Sequence, residues 1–392
     1  MSRFEEKLNE LEKAFTPAAP INKREFFAGR VNEIVKVIDA VKEKGAHAIV
    51  YGERGVGKTS LANITAEVIS EAAVIKTSCV SYDKYEDIWD KTLKRIKMIG
   101  EQRRIGYIED VNVVEYTARE FIPEGQEIKP ENVADIISGI FNKGIIIVDE
   151  FDRIKGEKIK RLMADTIKYI SDNISGITLV IVGVALTVDE LIGEHHSIER
   201  NLKQIKLERM KEEELKEIID KGSRLLNMVI DDAVAADIVK LSQGFPHYTH
   251  LLSKYSAKFA LINSRFSINS EDLNDAVMFS LKDVSETIRN AYLRASASTR
   301  ATIFPEVILA CALTKFDEYA TFRAKDVEIP LSDILGQKVD ITKFSYHLGK
   351  LINPDRGPLL ERIGGKGRHR YRFLNPLMIP YIVLKGRERG LI

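Results

Sequence analysis

The chain has 392 residues, of which 44% are hydrophobic and 30% are charged. Two or three domains are expected at this length, and the composition supports buried cores and argues against an intrinsically disordered chain. The net charge is +1, so the overall balance of charge indicates no partner. The two cysteines, Cys79 and Cys311, are too few for a disulfide framework or a cysteine-based metal site.

The chain opens with an amphipathic segment and a linker. Residues 1–15, MSRFEEKLNELEKAF, have the charge and spacing of an amphipathic helix, and TPAAP after them is typical of a linker. The segment lacks the apolar centre of a secretory signal. No stretch reaches the ~18 uninterrupted apolar residues of a membrane-spanning helix. We therefore expect a cytoplasmic protein with no membrane partner.

Residues 51–60, YGERGVGKTS, contain the pattern G-x-x-x-x-G-K-[ST], which begins at Gly52. The β-prone run HAIVY precedes the pattern, and LANITAEVI after it has helical apolar spacing. A strand, a glycine-rich loop and a helix in this order bind phosphate, because loop N–H groups and the helix N-terminus face the anion. Lys58 is predicted to reach the β- and γ-phosphates, and Thr59 to coordinate Mg²⁺. The predicted phosphate-binding residues are Gly52, Gly55, Val56, Gly57, Lys58, Thr59 and Ser60.

A second motif, GIIIVDEFDRI, occupies residues 144–154. Its apolar run predicts a strand buried on both faces, with Asp149 and Glu150 at the carboxyl end, where α/β sheets bind ligands. Asp149 is predicted to assist Mg²⁺ through water, and Glu150 to orient and deprotonate the attacking water. The adjacent acids favour hydrolysis of ATP, and a metabolic P-loop kinase is the less favoured alternative.

Two further residues are candidates for the site. Thr187 follows a predicted strand at 177–186, where a polar side chain could contact the γ-phosphate or the lytic water. Arg200 precedes another short apolar run and could serve as an arginine finger for the γ-phosphate of a neighbouring subunit. The alternatives are an ordinary threonine at a strand end and a surface arginine paired with Glu194 or Glu199.

The segment 101–132 lies between the two motifs and is longer than a connection in an αβ unit requires. We expect an additional hairpin here, and an insertion that presents a surface to a partner is the alternative.

The C-terminal part of the chain separates into two patterns. Residues 206–282 read as helices, with Asp231 and Asn269 as plausible N-caps. From residue 283 onward, three predicted helices precede a strand, a glycine turn and a strand, which is the order of a winged helix. Residues 341–392 carry a net charge of +8, against −7 for the rest of the chain. Basic residues in a third helix and a wing suit double-stranded DNA, and the residues predicted to contact it are Lys350, Lys366, Arg368 and Arg370.

Taken together, these motifs resemble the AAA+ superfamily of P-loop ATPases. GERGVGKT is similar to the Walker A loop of that family, and IIIVDE to its Walker B strand. FFAGRVNEIVKVIDAV, residues 26–41, resembles the family's segment that packs against adenine, which implies nucleotide contacts for Phe27 and Arg30. The segment around Arg200 resembles the one that carries the arginine finger. The resemblance covers roughly residues 25–260 and implies ATP and Mg²⁺ as ligands.

Within that superfamily the chain is most similar to STAND ATPases and to archaeal origin-recognition initiators, which both add a helical lid and a winged helix. The initiators usually carry a lid arginine in a pattern like G-D-x-R, whereas this chain has Gly244, Pro246 and His247 in the sequence GFPH. That sequence resembles the G-x-P lid motif of STAND proteins, whose proline lies against the nucleotide. Pro246 and His247 are therefore expected to contact ATP, and the resemblance favours a switch.

We predict four parts. They are an N-terminal helix and linker at 1–24, a P-loop α/β core with a parallel sheet flanked by helices at 25–205, an all-α lid at 206–282, and a winged-helix domain at 283–392. The favoured function is an ATP-hydrolysing switch that forms nucleotide-dependent homo-oligomers or engages a protein partner. The alternative is a DNA-binding initiator or loader. Winged helices of STAND proteins also act as internal clamps, so the role of the basic C-terminal part stays open.

Overall fold

A computed structural model of the protein describes residues 3–69, 71–103, 111–193, 196–298, 302–365 and 369–392. The N-terminal helix α1 (Arg3–Ala14) is followed by an irregular linker. The helices of the core are α2 (Val31–Lys42), α3 (Lys58–Val68), α4 (Tyr85–Lys94), α5 (Pro130–Ile140), α6 (Glu157–Asn173) and α7 (Val188–Ile192). Its strands are β1 (His47–Gly52), β2 (Ala73–Ser78), β3 (Lys97–Arg103), β4 (Val111–Thr117), β5 (Gly144–Asp149), β6 (Ile177–Val184) and β7 (Leu202–Leu207).

Five of these strands form a parallel sheet in the order β2-β5-β6-β1-β7, which confirms the predicted α/β class. Strand β5 is buried along its whole length, as its unbroken apolar sequence predicts. Strands β1 and β5, which end at the two motifs, are separated by β6 alone, so their carboxyl ends reach the same edge of the sheet. The sequence-based strand at 177–186 ends two residues earlier, at Val184.

The connection between the two motifs contains the additional hairpin. Strands β3 and β4 pair antiparallel, from Lys97 opposite Thr117 to Arg103 opposite Val111, in a sheet of their own. The hairpin is therefore an appendage to the core and takes no part in the five-stranded sheet.

The lid follows β7 and consists of helices α8 (Glu212–Leu225), α9 (Asp232–Ser242), α10 (Pro246–Ile262) and α11 (Ser270–Asp283), with short strands β8 (Val229–Ile230) and β9 (Ser267–Ile268). Asn269 caps α11 as predicted, because its side chain accepts hydrogen bonds from the backbone N–H groups of Glu271 and Asp272. Asp231 also stands at an N-cap position, but its side chain makes no capping hydrogen bond. Strand β7 extends to Leu207, so the change from core to lid lies after that residue, beyond the predicted boundary at 205.

The described part of the C-terminal unit begins after α11, which extends to Asp283. Its helices are α12 (Glu286–Ser296), α13 (Phe304–Leu313), α14 (Glu328–Leu335), α15 (Ile341–Leu351) and α16 (Met378–Glu388). Two of these, α12 and α16, lie beyond the three helices that were predicted before the strand pair. Strands β10 (Leu360–Ile363) and β11 (Arg370–Phe373) pair antiparallel after α15. Phe322 adds a single bridge to Tyr371 of β11. None of the helices in the described parts of the chain is long and apolar enough to cross a membrane.

Buried side chains form one hydrophobic cluster on each face of the sheet. The larger cluster joins the core to the N-terminal helix, the lid and the C-terminal unit. Helix α1 enters it through Leu11, and the fully buried ring of Phe15 continues the contact beyond the helix end. The approach of Phe15 to Gly222 of α8 is so close that a Cβ on Gly222 would lie 2.2 Å from the ring. Glycine at this position is therefore what lets the N-terminal segment pack against the lid.

Candidate functional site

A cavity of about 840 Å³ lies at the carboxyl edge of the parallel sheet. This volume falls within the roughly 300–1,000 Å³ of most small-molecule sites. The residues of its floor, all from the core, are Arg54, Gly55, Gly57, Lys58, Thr59, Ser60, Asp149, Glu150, Asp152, Arg153, Gly183 and Val184. The residues of its roof, from outside the core, are Thr16, Pro17, Ala18, Ala19, Pro20, Ile21, Pro246, His247, His250 and Leu377.

The phosphate loop runs from the end of β1 to the start of α3. Gly57 adopts φ +98° immediately before α3, a conformation that favours glycine and that turns the chain into the helix. The first backbone N–H groups of α3 have no partner within the helix, so they are available to an anion at this end of the cavity. Thr59 and Ser60 lie in this first turn, and both line the cavity.

Lys58 is buried, and its ammonium group donates to the backbone carbonyls of Gly52, at 3.0 Å, and Glu53, at 2.6 Å. Burial lowers the pKa of Lys58 to about 8, although the nearby carboxylates of Asp152, Asp149 and Glu53 favour the charged form. The ammonium is thus held by neutral carbonyl groups in a position where an anion would stabilise its charge. This arrangement suits a group that binds phosphate.

Asp149, at the end of β5, is buried and paired. Its Oδ2 atom lies 2.9 Å from the ammonium nitrogen of Lys76 on the neighbouring strand β2, and its Oδ1 atom accepts the backbone N–H of Glu150. Lys76 also donates to Oδ1 of Asn63 at 2.7 Å. Sequence reasoning missed Lys76, because its contact with Asp149 depends on the pairing of β2 with β5.

Glu150 adopts φ +58° directly after β5, which directs the chain into a short turn. Its carboxylate forms a salt bridge of 2.8 Å with Arg153, and both side chains line the floor and are partly exposed. Asp152, in the same turn, accepts the backbone N–H of Val184 at 2.8 Å and thereby joins the ends of β5 and β6. The two predicted acids and Lys58 therefore share one cavity, with Asp149 buried and Glu150 accessible.

Oxygen donors on this floor fit a magnesium ion. Thr59 offers a hydroxyl, and Asp149, Glu150 and Asp152 offer carboxylates, which are the hard oxygen ligands that Mg²⁺ prefers. The described residues contain no group of three or more histidine, cysteine, aspartate or glutamate side chains arranged to hold a metal by themselves. Mg²⁺ commonly completes its coordination with water and substrate phosphates, so this sparse donor set is compatible with it.

The roof comes from three distant segments. The backbone N–H of Ile21 donates to the hydroxyl of Ser60 at 3.1 Å, which fastens the linker to the phosphate loop. His247 in the first turn of α10 is hydrogen-bonded through Nδ1 to the carbonyl of Pro17 at 2.7 Å, and burial lowers its pKa. Pro246 begins α10 and lines the cavity, as does His247.

Leu377 extends the roof from the C-terminal unit. A Cβ on Gly55 would lie 2.6 Å from Cδ2 of Leu377, so the absence of a side chain in the phosphate loop lets this leucine approach. The carbonyl of Leu377 also accepts the hydroxyl of Tyr248 in α10 at 3.0 Å. The C-terminal unit therefore contacts both the phosphate loop and the lid.

Arg209 connects the same three parts of the molecule. Its guanidinium forms two hydrogen bonds with the carboxylate of Glu53, at 2.7 and 3.0 Å, next to the phosphate loop. It also lies over the rings of Phe245 in the lid, at 4.9 Å, and Phe316 in the C-terminal unit, at 4.4 Å. No local pattern identifies this residue, because Glu53 is 156 positions away in the sequence.

Six sequence candidates for the nucleotide site lie outside the lining of the cavity, and two of them, Gly52 and Val56, belong to the phosphate loop itself. Thr187 is the N-cap of α7, and its hydroxyl accepts the backbone N–H of Glu190. Arg200 is exposed in a short turn before β7 and donates to the side chain of Asn201 at 3.2 Å. Phe27 and Arg30 are buried behind the phosphate loop, where Arg30 donates to the carbonyl of Val56 at 3.2 Å. The linker, residues 16–21, lines the cavity in their place.

The residues proposed for DNA contact differ in their surroundings. Lys350 of α15 extends over the ring of Tyr346, which is 65% exposed. Arg370 of β11 is engaged within the C-terminal unit, by a 2.9 Å salt bridge with Asp317 and a hydrogen bond to Thr321. Lys366 and Arg368 lie outside the described residues.

Comparison with known proteins agrees with this geometry. Residues 41–192, which include the phosphate loop and both acids, match the family model described as "AAA domain". The matched range is about two fifths of the chain. The matched range contains the whole floor, whereas the roof residues lie before and after it.

A curated relative is the Holliday junction branch migration complex subunit RuvB of Staphylococcus haemolyticus, which is 24% identical over 243 residues, 62% of this chain and 62% of the relative. The chain therefore spans about three fifths of the length of that relative. Among solved structures, the Walker-type ATPase paby2304 of Pyrococcus abyssi is 15% identical, with a TM-score of 0.54 and coverage of 94% of this chain and 99% of that one. The ORC2 protein of Aeropyrum pernix is 14% identical, with a TM-score of 0.48 and coverage of 96% and 98%.

Proposed function

We propose that this protein is an ATP-hydrolysing molecular switch of the STAND type, in which the bound nucleotide sets the position of the lid and of a C-terminal winged helix. One observation carries the proposal. A single cavity is lined by the phosphate loop, by the two acids after β5, by the lid and by a residue of the C-terminal unit. A nucleotide in this cavity contacts every part that would have to move.

The floor supplies the groups for binding and hydrolysis. Lys58 and the first N–H groups of α3 hold the phosphates, and the hydroxyl of Thr59 and the carboxylate of Asp149 hold Mg²⁺, which neutralises phosphate charge when bound. Asp149 is already paired with Lys76, which favours a contact between the Asp149 carboxylate and the metal through a bridging water. Glu150 is the accessible acid and serves as the base for the attacking water.

The interface between the C-terminal unit and the rest of the chain supports the switch. Leu377 and Phe316 contact the phosphate loop and Arg209, and Lys206 of β7 donates to the carbonyl of Glu318 at 2.7 Å. Arg387 of α16 forms a 2.8 Å salt bridge with Asp237 of the lid. In this arrangement the winged helix acts as an internal clamp, and ligand-dependent release of it is the two-state element.

Arg200 and Thr187 were both predicted to act on the γ-phosphate, and their positions differ. The exposed position of Arg200 is compatible with an arginine finger that acts on a neighbouring copy, so we propose an ATP-dependent homo-oligomer. Thr187 reaches the γ-phosphate only if its capping bond is given up. The particle mass measured with ATP and with ADP tests the oligomer, and the same mass in both contradicts it.

Two variants test the mechanism. Lys58→Ala is expected to weaken ATP binding roughly 100-fold or more, because it removes charge-assisted hydrogen bonds to phosphate. Glu150→Gln is expected to bind ATP normally and to stop its hydrolysis. Calorimetry and a phosphate-release assay measure these effects, with Lys158→Ala, an exposed lysine of α6, as the matched control. Normal turnover by Glu150→Gln would show that Glu150 is not the base.

DNA binding through the C-terminal unit is a second candidate. It is favoured by the net charge of +8 on residues 341–392 and by the exposed face of α15 with Tyr346 and Lys350. The curated relative, named as a Holliday junction branch migration subunit, also points to DNA. We then expect duplex DNA binding that weakens with salt, and Lys350→Ala to reduce the slope of log affinity against log salt by about 1. The control is Lys282→Ala in the lid, and no binding at low salt contradicts this function.

A further inference from the structure

The two ends of the cavity differ in chemistry. Lys58 and Thr59 define the phosphate end, next to the start of α3. The other end is formed by the linker and by the face of α10 that carries Pro246 and, one turn later, His250. A nucleotide held by its phosphates at the first end places its base and sugar toward the second. This step rests on the function proposed above.

His250 is the unusual group at the second end. It is 5% exposed and lines the cavity, yet neither ring nitrogen has a hydrogen-bond partner among the residues that the structure describes. Its neighbour His247 is satisfied by the carbonyl of Pro17, so the two histidines of this turn are not equivalent. Phe15 meets the ring of His250 edge-on, with centroids 6.2 Å apart, and covers one flank of it.

Two unpartnered nitrogens beside a cavity indicate an absent partner. Buried polar atoms in folded proteins are hydrogen-bonded in the great majority of cases, and an unsatisfied one destabilises the fold. Burial, with a smaller contribution from His247, lowers the pKa of His250 to about 4, so the ring is neutral at neutral pH. A neutral imidazole presents one N–H donor and one nitrogen acceptor.

A phosphate offers only acceptors at this pH and can partner only the ring N–H, whereas a purine edge carries donors and acceptors and can partner either ring nitrogen. We propose that His250 hydrogen-bonds the nucleobase of the bound nucleotide and makes the site select nucleotides over bare polyphosphate. His250 is thus a specificity residue of the roof, distinct from the groups of the floor that hold phosphate and metal.

The test compares three ligands: ATP, ribose 5-triphosphate and inorganic tripolyphosphate, each with Mg²⁺, by calorimetry on the full chain. The wild-type protein is expected to bind ATP more tightly than the two ligands without a base. His250→Phe, which retains an aromatic ring beside Phe15, is expected to weaken ATP binding about tenfold, which corresponds to about 1.4 kcal/mol, and to leave the other two affinities unchanged. His250→Gln, which retains a donor and an acceptor, should recover part of the loss.

The matched control is His347→Phe, a half-buried histidine of α15 that packs against Phe304 away from the cavity. It should change none of the three affinities. If His250→Phe weakens the binding of all three ligands equally, the histidine only supports the fold, and the proposal is overturned. A loss of affinity confined to ATP and ribose triphosphate also overturns it, because these two ligands share the ribose and not the base. Equal wild-type affinities for ATP and tripolyphosphate refute the base contact alone, whereas no binding of either ligand refutes the proposed function with it.

Discussion

The floor and the roof of the cavity are built in different ways. The floor carries all the charged residues of the lining, and they lie within about 100 positions of one another in the chain. A parallel sheet and pairs such as Lys76 with Asp149 fix them in place. The roof consists mostly of neutral residues from both ends of the chain and from the lid. The chemistry of the site is thus a property of the core alone, whereas its closure depends on how the remaining parts pack.

Single hydrogen bonds join the segments of the roof to the floor and to one another. The linker is attached through Ser60, α10 meets the linker through His247, and Leu377 meets α10 through Tyr248. Each is a single hydrogen bond, and a single hydrogen bond stabilises a fold by only about 1 kcal/mol. The roof is therefore the part of the site that a bound ligand can rearrange, and the floor is the part that it cannot.

Arg209 joins the core to the lid and to the C-terminal unit by a two-hydrogen-bond ion pair and two ring contacts, so its loss is expected to have the largest effect. Arg209→Met leaves the largely buried carboxylate of Glu53 without a partner, which should lower the free energy of unfolding by about 2 kcal/mol. Glu53→Gln in the same chain should restore part of the loss, because the uncompensated charge is removed. Urea unfolding, followed separately by hydrogen exchange in the core and in the C-terminal unit, measures the effect.

The control for this link is Lys94→Met, which removes a more exposed ion pair with Asp90 and should change stability by less than about 0.5 kcal/mol. An Arg209→Met protein as stable as Lys94→Met would show that the three-part contact around Arg209 carries no energy.

Alkaline pH is expected to change the charge of Lys58 in the floor and to leave the charge of the roof histidines unchanged. The pKa of Lys58 is lowered to about 8 in the free protein, and bound phosphates would raise it. Below pH 8 the ammonium is charged in both states, and above it the free protein loses the proton first, so ATP affinity should fall by up to about tenfold per pH unit. Burial lowers the pKa of His247 and of His250, so both roof histidines are neutral over this range.

Calorimetry between pH 7.5 and 9.5, in buffers with different enthalpies of ionisation, measures both the affinity and the proton uptake. Lys58→Arg should give a flat profile, because arginine remains charged throughout. A wild-type affinity that is constant to pH 9.5 would contradict the assignment of Lys58 to the phosphates.

The smallest expected effect is the change in stability when one of two buried tyrosine hydroxyls is removed. Tyr248→Phe removes the hydrogen bond to the carbonyl of Leu377 and should destabilise the closed roof by about 1 kcal/mol. Tyr381→Phe is the matched control, because the hydroxyl of Tyr381 is buried without a partner in the described structure and its loss should be neutral or stabilising. Hydrogen exchange of α10 and α16 distinguishes the two variants, and equal effects would show that the bond to Leu377 does not hold the roof.

The floor could be predicted from the sequence because each of its motifs is local. The spacing of Gly52, Lys58 and Thr59, and the position of Asp149 after an apolar run, follow from rules that act over about ten residues. The parallel sheet then brings the two motifs together. Lys76 was missed only because the neighbours of a strand cannot be read from the strand itself.

The roof was harder to predict from the sequence, for a physical reason. Leu377, the linker and His250 reach the cavity through packing between parts that are hundreds of residues apart, and no local periodicity encodes such packing. Pro246 and His247, to which the resemblance drew attention, line the cavity, and their contact with ATP stays a prediction. The resemblance also drew attention to Phe27 and Arg30, which instead pack behind the loop, where the buried Arg30 side chain supports Val56.

The close contact of Phe15 with Gly222 has a consequence for biosynthesis. The partners of Phe15 in α8 and α10 leave the ribosome roughly 200 residues after it, which at about 5–20 residues per second is a delay of about 10–40 s. During that interval the apolar face of α1 has no native partner, while strands β1 to β6 and finally β7 of the core are made. Helix α10, which carries Pro246, His247 and His250, is made after the whole core, so a newly made chain would acquire its phosphate loop first and the lid side of the cavity last.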